Sequence, residues 1–267
     1  MNPIADYHMH TPLCGHAIGL PQEYAKQALQ VGLEEIGFSD HAPFVVKDLP
    51  GITMKMDQLP QYYRMIEQVR DQYRNELRIK VGIEADFVPG YEEKTKAILK
   101  DYPYDYVIGS VHFIRGWGFD NPEERDQWDQ NDINEVYCQY YSLLRQSAQS
   151  QLFDIMAHVD LVKKFGHRPS AFLAEEVEKT AQVFKESGVA VEINTSGLRK
   201  PVKEIYPSLL ALKIYARCQV ALCFGSDAHD PKDVGKDYGQ ALQLAKAAGY
   251  TEYVLFSQRK IERTIKL

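Results

Sequence analysis

Along this chain, short runs rich in β-forming residues alternate seven times with longer stretches whose apolar residues have helical spacing. Few folds accommodate such a pattern. The seven candidate strands are 3–8, 33–39, 77–85, 104–113, 152–158, 188–194 and 219–226. Several are near-continuous apolar runs, as is typical of strands buried on both faces of a parallel sheet. The alternation therefore predicts a parallel α/β architecture, most simply a barrel of (β/α)7 or (β/α)8 type.

The stretches between these strands have the apolar spacing of amphipathic helices. They are 20–32, 58–73, 132–150, 169–188 and 231–249, and glycines at 32, 188 and 249 are expected to end three of them. The run 251–257 is expected to form a short eighth strand or a C-terminal edge strand, and 42–60 and 114–131 are predicted to be long loops. Since no linker or repeat interrupts the pattern, we expect one domain over residues 1–267.

Composition excludes several classes of function. With 45% hydrophobic and 25% charged residues, the chain has the composition of an ordinary globular protein. Its net charge of −6 argues against a nucleic-acid partner, because such binding depends on neutralising phosphates. No apolar run approaches the roughly 18 residues of a membrane span. The start of the sequence has no secretory signal pattern and the four cysteines are scattered, so we expect a cytoplasmic protein with reduced thiols.

Histidines and carboxylates gather where the predicted strands end. Seven of the eight histidines and two acids lie at or just after these ends: His8, His10, His16, His41, Glu84, His112, His158, Asp227 and His229. In a parallel barrel the carboxyl ends of all strands meet at one face. We therefore expect these nine side chains to lie close together.

A metal site explains this gathering better than structural roles do. A single histidine near a strand end is more often a hydrogen-bonded core residue, and Asp40 and Asp227 would fit helix caps. Chance placement would rarely bring seven histidines to one face of the barrel. Because strand side chains alternate between the two faces, His8 and His10 are expected on the same face. Imidazole with carboxylate favours Zn, Mn or Fe over Mg or Ca. One catalytic zinc takes about three protein ligands, so nine donors predict two or three ions.

Six motifs in order resemble a known family. They are DYHMHTPLCGHA at 6–17, FSDHA at 38–42, GIEADF at 82–87, GSVHF at 109–113, MAHVD at 156–160 and GSDAH at 225–229. The chain resembles the PHP (polymerase and histidinol phosphatase) superfamily over residues 6–229, and it is most similar to the stand-alone histidinol-phosphate phosphatases within it. The resemblance implies a distorted (β/α)7 TIM-like barrel with three divalent transition-metal ions (Zn, Mn or Fe) at the carboxyl ends of its strands.

The resemblance also implies the ligand sets. One ion would be held by His8, His10, Glu84 and Asp227; a second by Glu84, His112 and His158; a third by His16, His41 and His229. Asp40 would be a further ligand or would orient an imidazole, and Cys14 is a less favoured ligand. The implied reaction is hydrolysis of the phosphate monoester L-histidinol phosphate by a metal-bridging hydroxide. Glu84, Asp227 and His229 would be catalytic, and Asp227 or His229 would protonate the leaving group.

Arginines after strand ends are candidates for holding the substrate phosphate, because guanidinium pairs with phosphate through two parallel contacts. Arg115, Arg168 and Arg199 occupy such positions, and we favour Arg168 and Arg199 because the long 114–131 segment could carry Arg115 away from the site. Asp160, Asn194 and Ser196 are weaker candidates for binding the amino alcohol end of the substrate.

Three other functions are compatible with part of the pattern. A PHP-type phosphodiesterase or nucleotide phosphatase would use the same metals, although the chain has no basic stripe for nucleic acid. An amidohydrolase barrel also opens with H-x-H, but its bridging residue would lie on strand four, where this chain has His112. A metal-buffering domain is disfavoured because no ligand position of the motifs is vacant.

Overall fold

The computed structural model describes residues 5–267, in which parallel strands and helices alternate as expected. The strands are β1 (Glu35–Phe38), β2 (Arg78–Asp86), β3 (Tyr106–Ser110), β4 (Phe113–Ile114), β5 (Trp117–Gly118), β6 (Ile155–Met156), β7 (Ala190–Asn194), β8 (Ala221–Gly225), β9 (Glu252–Ser257) and β10 (Lys260–Lys266). The helices are α1 (Pro21–Gln30), α2 (Leu59–Tyr73), α3 (Glu92–Leu99), α4 (Ile133–Gln149), α5 (Ala174–Ser187), α6 (Leu209–Arg217) and α7 (Tyr238–Ala248). Six strands form one parallel sheet in the order β1-β2-β3-β6-β7-β8.

The segment 6–10 closes this sheet into a ring. On one side the amide of Gly37 in β1 donates to Asp6 O at 2.7 Å, and on the other the amide of Tyr7 donates to Phe224 O in β8 at 3.1 Å. The ring therefore has seven parallel members, which confirms the predicted distorted (β/α)7 barrel. Residues 3 and 4 of the predicted first strand lie outside the described residues.

The run 251–257 is a strand, but it is neither an eighth member of the barrel nor an edge of its sheet. As β9 it pairs antiparallel with β10 in a separate hairpin. The chain reverses at Gln258 and Arg259, both of which have left-handed backbone angles. The hairpin covers the amino-terminal end of the barrel, where the amide of Phe256 donates to Tyr7 Oη at 3.0 Å and Lys80 Nζ lies 3.1 Å from Glu262 Oε2.

Five of the seven helices fall within the predicted stretches, and α3 and α6 do not. Helix α3 has only eight residues and α6 only nine, so each is too short to show a sustained helical period in the sequence. Within the predicted loop 114–131 the chain forms β5 and a 3₁₀ helix, Pro122–Gln130. The longest helix, α4, has 17 residues, and no helix within residues 5–267 is long and apolar enough to cross a membrane.

Tyr106 shows how tightly the barrel is packed. Its ring is fully buried and its hydroxyl donates to Tyr7 O at 2.6 Å. The ring lies directly over two glycines of the neighbouring strands, Gly37 and Gly82. An ideal Cβ placed on Gly82 would lie 2.3 Å from Tyr106 Cζ, closer than real carbon atoms approach. Glycine is therefore required at position 82 to make room for the tyrosine.

We predict that Gly82→Ala lowers the free energy of unfolding by about 1–3 kcal/mol, because the added methyl group overfills the core. Urea-induced unfolding of the purified variant measures the change. The matched control is Gly239→Ala in α7, where nothing lies within 4 Å of the added Cβ. That control should be neutral or stabilising by up to about 1 kcal/mol. Equal destabilisation of the two variants would contradict the packing argument.

Candidate functional site

Glu84, near the carboxyl end of β2, is the centre of the histidine cluster. It is 1% exposed, and its Oε2 lies 3.3 Å from His8 Nε2 and 3.0 Å from His41 Nδ1. Its other oxygen, Oε1, lies 3.3 Å from His158 Nε2 and 4.0 Å from His112 Nε2. The two oxygens of one buried carboxylate thus face imidazoles that come from four different strand ends.

A second group of donors adjoins Glu84 around Asp227. Asp227 Oδ1 lies 3.2 Å from His10 Nε2, and the ring of His10 stacks on that of His229 with centroids 3.9 Å apart. The Nε2 atoms of His229 and His16 are 2.9 Å apart. All nine predicted donors therefore meet in one cluster. Asp40 lies at its edge, with Oδ1 3.4 Å from His10 Nδ1.

The backbone is strained where two of these donors leave their strands. His158 follows β6 with φ of 30° and Asp227 follows β8 with φ of 53°. Residues other than glycine rarely adopt such angles, which cost on the order of 1–3 kcal/mol and are common at functional sites. The fold therefore maintains an unfavourable backbone conformation at the points where these side chains enter the cluster.

Two further carboxylates support the cluster from behind, and sequence reasoning missed both. Glu192 Oε1 lies 2.7 Å from His8 Nδ1, and its Oε2 accepts a hydrogen bond from the His158 amide at 3.0 Å. Asp86 Oδ1 lies 2.8 Å from His112 Nδ1. Each contacts the ring nitrogen that faces away from Glu84, so it fixes the orientation of that ring. The available signal was a single acid inside an apolar strand, as in AVEIN (190–194).

The pKa values of the cluster reflect burial together with the charges of neighbouring groups, which oppose burial at Glu84 and His112 and reinforce it at His16. Burial raises the pKa of Glu84, but the charges of His41 and His8 outweigh this and hold the pKa well below its ordinary value. Burial lowers the pKa of His112, but the charge of Asp86 outweighs this effect and raises the pKa to about 10. Burial and the neighbouring His41 together lower the pKa of His16 to about 4.

Several buried atoms of the cluster lack hydrogen-bond partners within residues 5–267. These atoms are His8 Nε2, both ring nitrogens of His10, Glu84 Oε2 and His158 Nδ1. Unpartnered buried polar atoms are costly, and most native structures contain few of them. Donor atoms of His8, His10 and Asp227 lie within 4.8 Å of one another, as do those of His8, Glu84 and His158. The residues present therefore fit a group of divalent transition-metal ions.

A cavity of about 1200 Å³ opens onto this cluster. Arg199 is one of the basic residues that line it. Its Nη2 donates a hydrogen bond to Ser226 O, and its Nε lies 3.4 Å from Asp233 Oδ2. The third nitrogen, Nη1, is buried and has no partner in the described part of the chain. Lys164 and Lys200 also line the cavity, and sequence reasoning had not singled them out.

The other candidates from the sequence lie in different surroundings. Arg115 lines the cavity but its side chain is 77% exposed, with Nη2 3.8 Å from Glu135. Arg168 does not line the cavity, because its guanidinium pairs with Glu204 on the surface. Asp160 is buried and contacts Lys163 Nζ at 2.9 Å, so it is unavailable to a ligand in the cavity.

Ser196, Asn194 and Cys14 surround the cluster. The hydroxyl of Ser196 donates to Asp227 Oδ2 at 2.9 Å, and the side-chain amide of Asn194 donates to Glu192 at 3.0 Å. Cys14 is buried, and its thiol donates to Thr11 O at 3.2 Å. Ser196 and Asn194 are therefore placed to hold carboxylates of the cluster in position, whereas the sulfur of Cys14 lies within 4.8 Å of donor atoms of His10 and Asp40.

Comparison with known proteins agrees with this arrangement. Residues 6–196 match the PHP domain family. The chain is 40% identical over 264 residues to the "Probable histidinol-phosphatase" of Deinococcus radiodurans, covering 98% of this chain and 100% of that protein. It is 31% identical over 265 residues to the histidinol-phosphatase of Bacillus subtilis, covering 89% and 98%.

A solved structure supports the fold. The histidinol phosphate phosphatase of Lactococcus lactis, complexed with zinc, L-histidinol and phosphate, superposes with a TM-score of 0.83 at 24% identity and covers 97% of this chain and 99% of that one. The family match and these relatives, together with the seven-membered barrel and its cluster of histidines, show that the chain belongs to the PHP domain family.

Proposed function

We propose that this chain is a metal-dependent phosphatase, with residues 1–267 as one domain, that hydrolyses L-histidinol phosphate to L-histidinol and inorganic phosphate. The observation that carries the proposal is the convergence of nine side chains with nitrogen or oxygen donors, Glu84 among them, at a cavity that Arg199 also lines. This substrate is supported by relatives that are named histidinol-phosphatases and that match nearly the whole chain. One continuous hydrophobic core supports the single domain.

For these donors we propose three divalent ions, each of them Zn, Mn or Fe. We assign His8, His10, Glu84 and Asp227 to the first ion, Glu84, His112 and His158 to the second, and His16, His41 and His229 to the third. Glu84 is placed to be shared because its two oxygens face different histidines. When bound, the metals would supply an activated water and neutralise the charge of the phosphate.

Arg199 is the residue of this chain that we assign to the phosphate. Two contacts, to Ser226 O and to Asp233, hold its guanidinium in place beside the cavity, and Nη1 has no partner within residues 5–267. A guanidinium held in this way binds phosphate with little loss of side-chain freedom. Arg115 and Arg168 are the alternatives, and their exposure makes them less suited.

The leaving alkoxide of the substrate needs a proton, and Asp227 and His229 are the two candidates to donate it. Both line the cavity. Ser196 and His10 contact different oxygens of Asp227 and so fix the orientation of its carboxylate. The two residues thus present their polar atoms to the same part of the cavity.

The proposed activity is tested with three substrates and a metal analysis. Purified protein is assayed with L-histidinol phosphate, bis-p-nitrophenyl phosphate and a dipeptide, and its metals are measured by mass spectrometry. We expect strong preference for L-histidinol phosphate and loss of activity with a chelator. Preference for the diester would indicate a phosphodiesterase, and preference for the dipeptide would indicate an amidohydrolase.

We predict that Glu84→Gln loses two of the three ions, because a carboxylate that bridges two ions is replaced by an amide with a single weakly binding oxygen. Metal content per chain, measured on purified parent and variant, checks this. A parent protein that is fully active with a single equivalent of transition metal would contradict the three-ion assignment.

We predict that Glu192→Gln weakens metal binding about 10- to 100-fold while the fold is retained, because the residue orients His8 and does not face the ions. Competition with a chelator measures the affinity, and urea-induced unfolding checks the fold. Glu178→Gln is the matched control, since Glu178 on α5 forms an exposed ion pair with Arg217. Equal affinities for the two variants would show that Glu192 does not position His8.

We predict that Arg199→Ala lowers kcat/KM for L-histidinol phosphate about 30- to 1,000-fold, because a charge-assisted contact to the phosphate is lost. Arg199→Lys should restore only part of the activity, since an ammonium cannot make the paired contact. Both variants should keep their full metal content. If Arg199→Ala stays within about twofold of the parent and Arg168→Ala or Arg115→Ala does not, the phosphate is held by one of those arginines.

A further inference from the structure

A short hairpin forms the wall of the cavity next to His112. Directly after this histidine, β4 pairs antiparallel with β5, so that Phe113 lies opposite Gly118. The ring of Phe113 also packs on the ring of Phe44, with centroids 4.6 Å apart. Both rings and Gly118 line the cavity. The hairpin thus provides an apolar aromatic surface beside the metal cluster.

Glu124, which follows this hairpin, differs from the other carboxylates that line the cavity. Those others each contact a basic side chain: Glu84, Asp86 and Asp227 contact histidines, Asp120 contacts Lys164, and Asp233 contacts Arg199 and Lys236. Glu124 instead accepts hydrogen bonds from neutral donors, the Gly118 amide at 3.3 Å and the side chains of Asn121 at 3.3 Å and Gln127 at 3.0 Å. Within residues 5–267 it has no ion-pair partner. The structure therefore presents a fixed negative charge to the cavity without a cation to match it.

The carboxylate of Glu124 and the ring of Phe113 both lie next to Gly118. An ideal Cβ placed on Gly118 would lie 3.1 Å from Glu124 Oε1, 3.4 Å from Asn121 Cβ and 3.6 Å from Phe113 Cε1. Glycine at position 118 therefore allows the carboxylate and the ring to lie close together at the cavity wall. A carboxylate accepts N–H donors, and an aromatic ring favours flat or cationic partners. Together they match an imidazole ring that carries N–H groups.

We propose that Glu124 and Phe113 bind the imidazole ring of the substrate and so determine its specificity; this inference rests on the function proposed above. L-Histidinol phosphate carries its ammonium on the carbon next to the one that bears the phosphate, so the ammonium stays close to the phosphate site. The imidazole is at the opposite end of the molecule, and the hairpin extends the cavity wall outward from His112. A site that hydrogen-bonds a polar group discriminates strongly against substrates that lack it.

The test compares Glu124→Gln with Glu123→Gln. Both changes remove one negative charge, but Glu123 is exposed and does not line the cavity. For Glu124→Gln we expect the inhibition constant of L-histidinol and the KM for L-histidinol phosphate to rise about 10- to 100-fold, the range for one lost charged hydrogen bond. The inhibition constant of inorganic phosphate and the metal content should match those of the parent, and the urea midpoint checks that the variant is folded at the assay conditions. Glu123→Gln should match the parent in all five measurements.

Two further measurements distinguish a loss of ring binding from a general loss of substrate binding. O-Phosphoethanolamine keeps the phosphate and an ammonium but has no ring, so Glu124→Gln should leave its kcat/KM or its inhibition constant unchanged. Gly118→Ala, whose added methyl group would displace the carboxylate of Glu124, should raise the KM for L-histidinol phosphate and leave inhibition by inorganic phosphate unchanged.

Three results would overturn the inference: a KM for L-histidinol phosphate within twofold of the parent in Glu124→Gln, equal effects of Glu123→Gln and Glu124→Gln, or an equal loss with O-phosphoethanolamine. If the parent protein does not hydrolyse L-histidinol phosphate, the proposed function itself fails. Parent activity with no selective effect of Glu124→Gln rejects the inference alone.

Discussion

The carboxylate of Glu84 is buried, and a buried charge costs several kcal/mol unless partners surround it. Its partners are imidazoles that come from the first segment of the chain and from the ends of β1, β3 and β6, which are distant from one another in sequence. Only a closed ring of strands brings these groups to one point. The backbone bonds of segment 6–10 to β1 and β8 close that ring and also deliver His8 and His10.

A second layer of carboxylates determines how the imidazoles point. Glu192 lies behind His8 and Asp86 behind His112, each within hydrogen-bond distance of the outer ring nitrogen. Glu192 occupies this place only because Gly225 has no side chain, since an ideal Cβ there would lie 1.9 Å from Glu192 Oε1. The orientation of a histidine in the cluster therefore depends on a glycine in β8, the strand that lies between the histidine and its carboxylate partner.

In the functions proposed above, chemistry and selectivity come from different parts of the chain. The strand ends hold the donors for metal, and their positions are set by the hydrogen bonds of the barrel. Part of the cavity wall is built from the segments that follow His41 and His112, including Phe44, Phe113 and Glu124. Loops can change without disturbing a barrel, so these segments can set the substrate while the cluster stays the same.

The amino-acid pattern by itself predicted the parallel barrel and the meeting of nine donors, because both follow from local features: apolar runs of strand length, and polar residues at the carboxyl ends of parallel strands. It did not predict Glu192 and Asp86 as partners of histidines, or the pairing of Arg168 with Glu204. Each of these depends on which side chains meet across strands or loops that are distant in sequence. Such contacts are decided by the packing and register of the whole barrel, and no local pattern of residues records them.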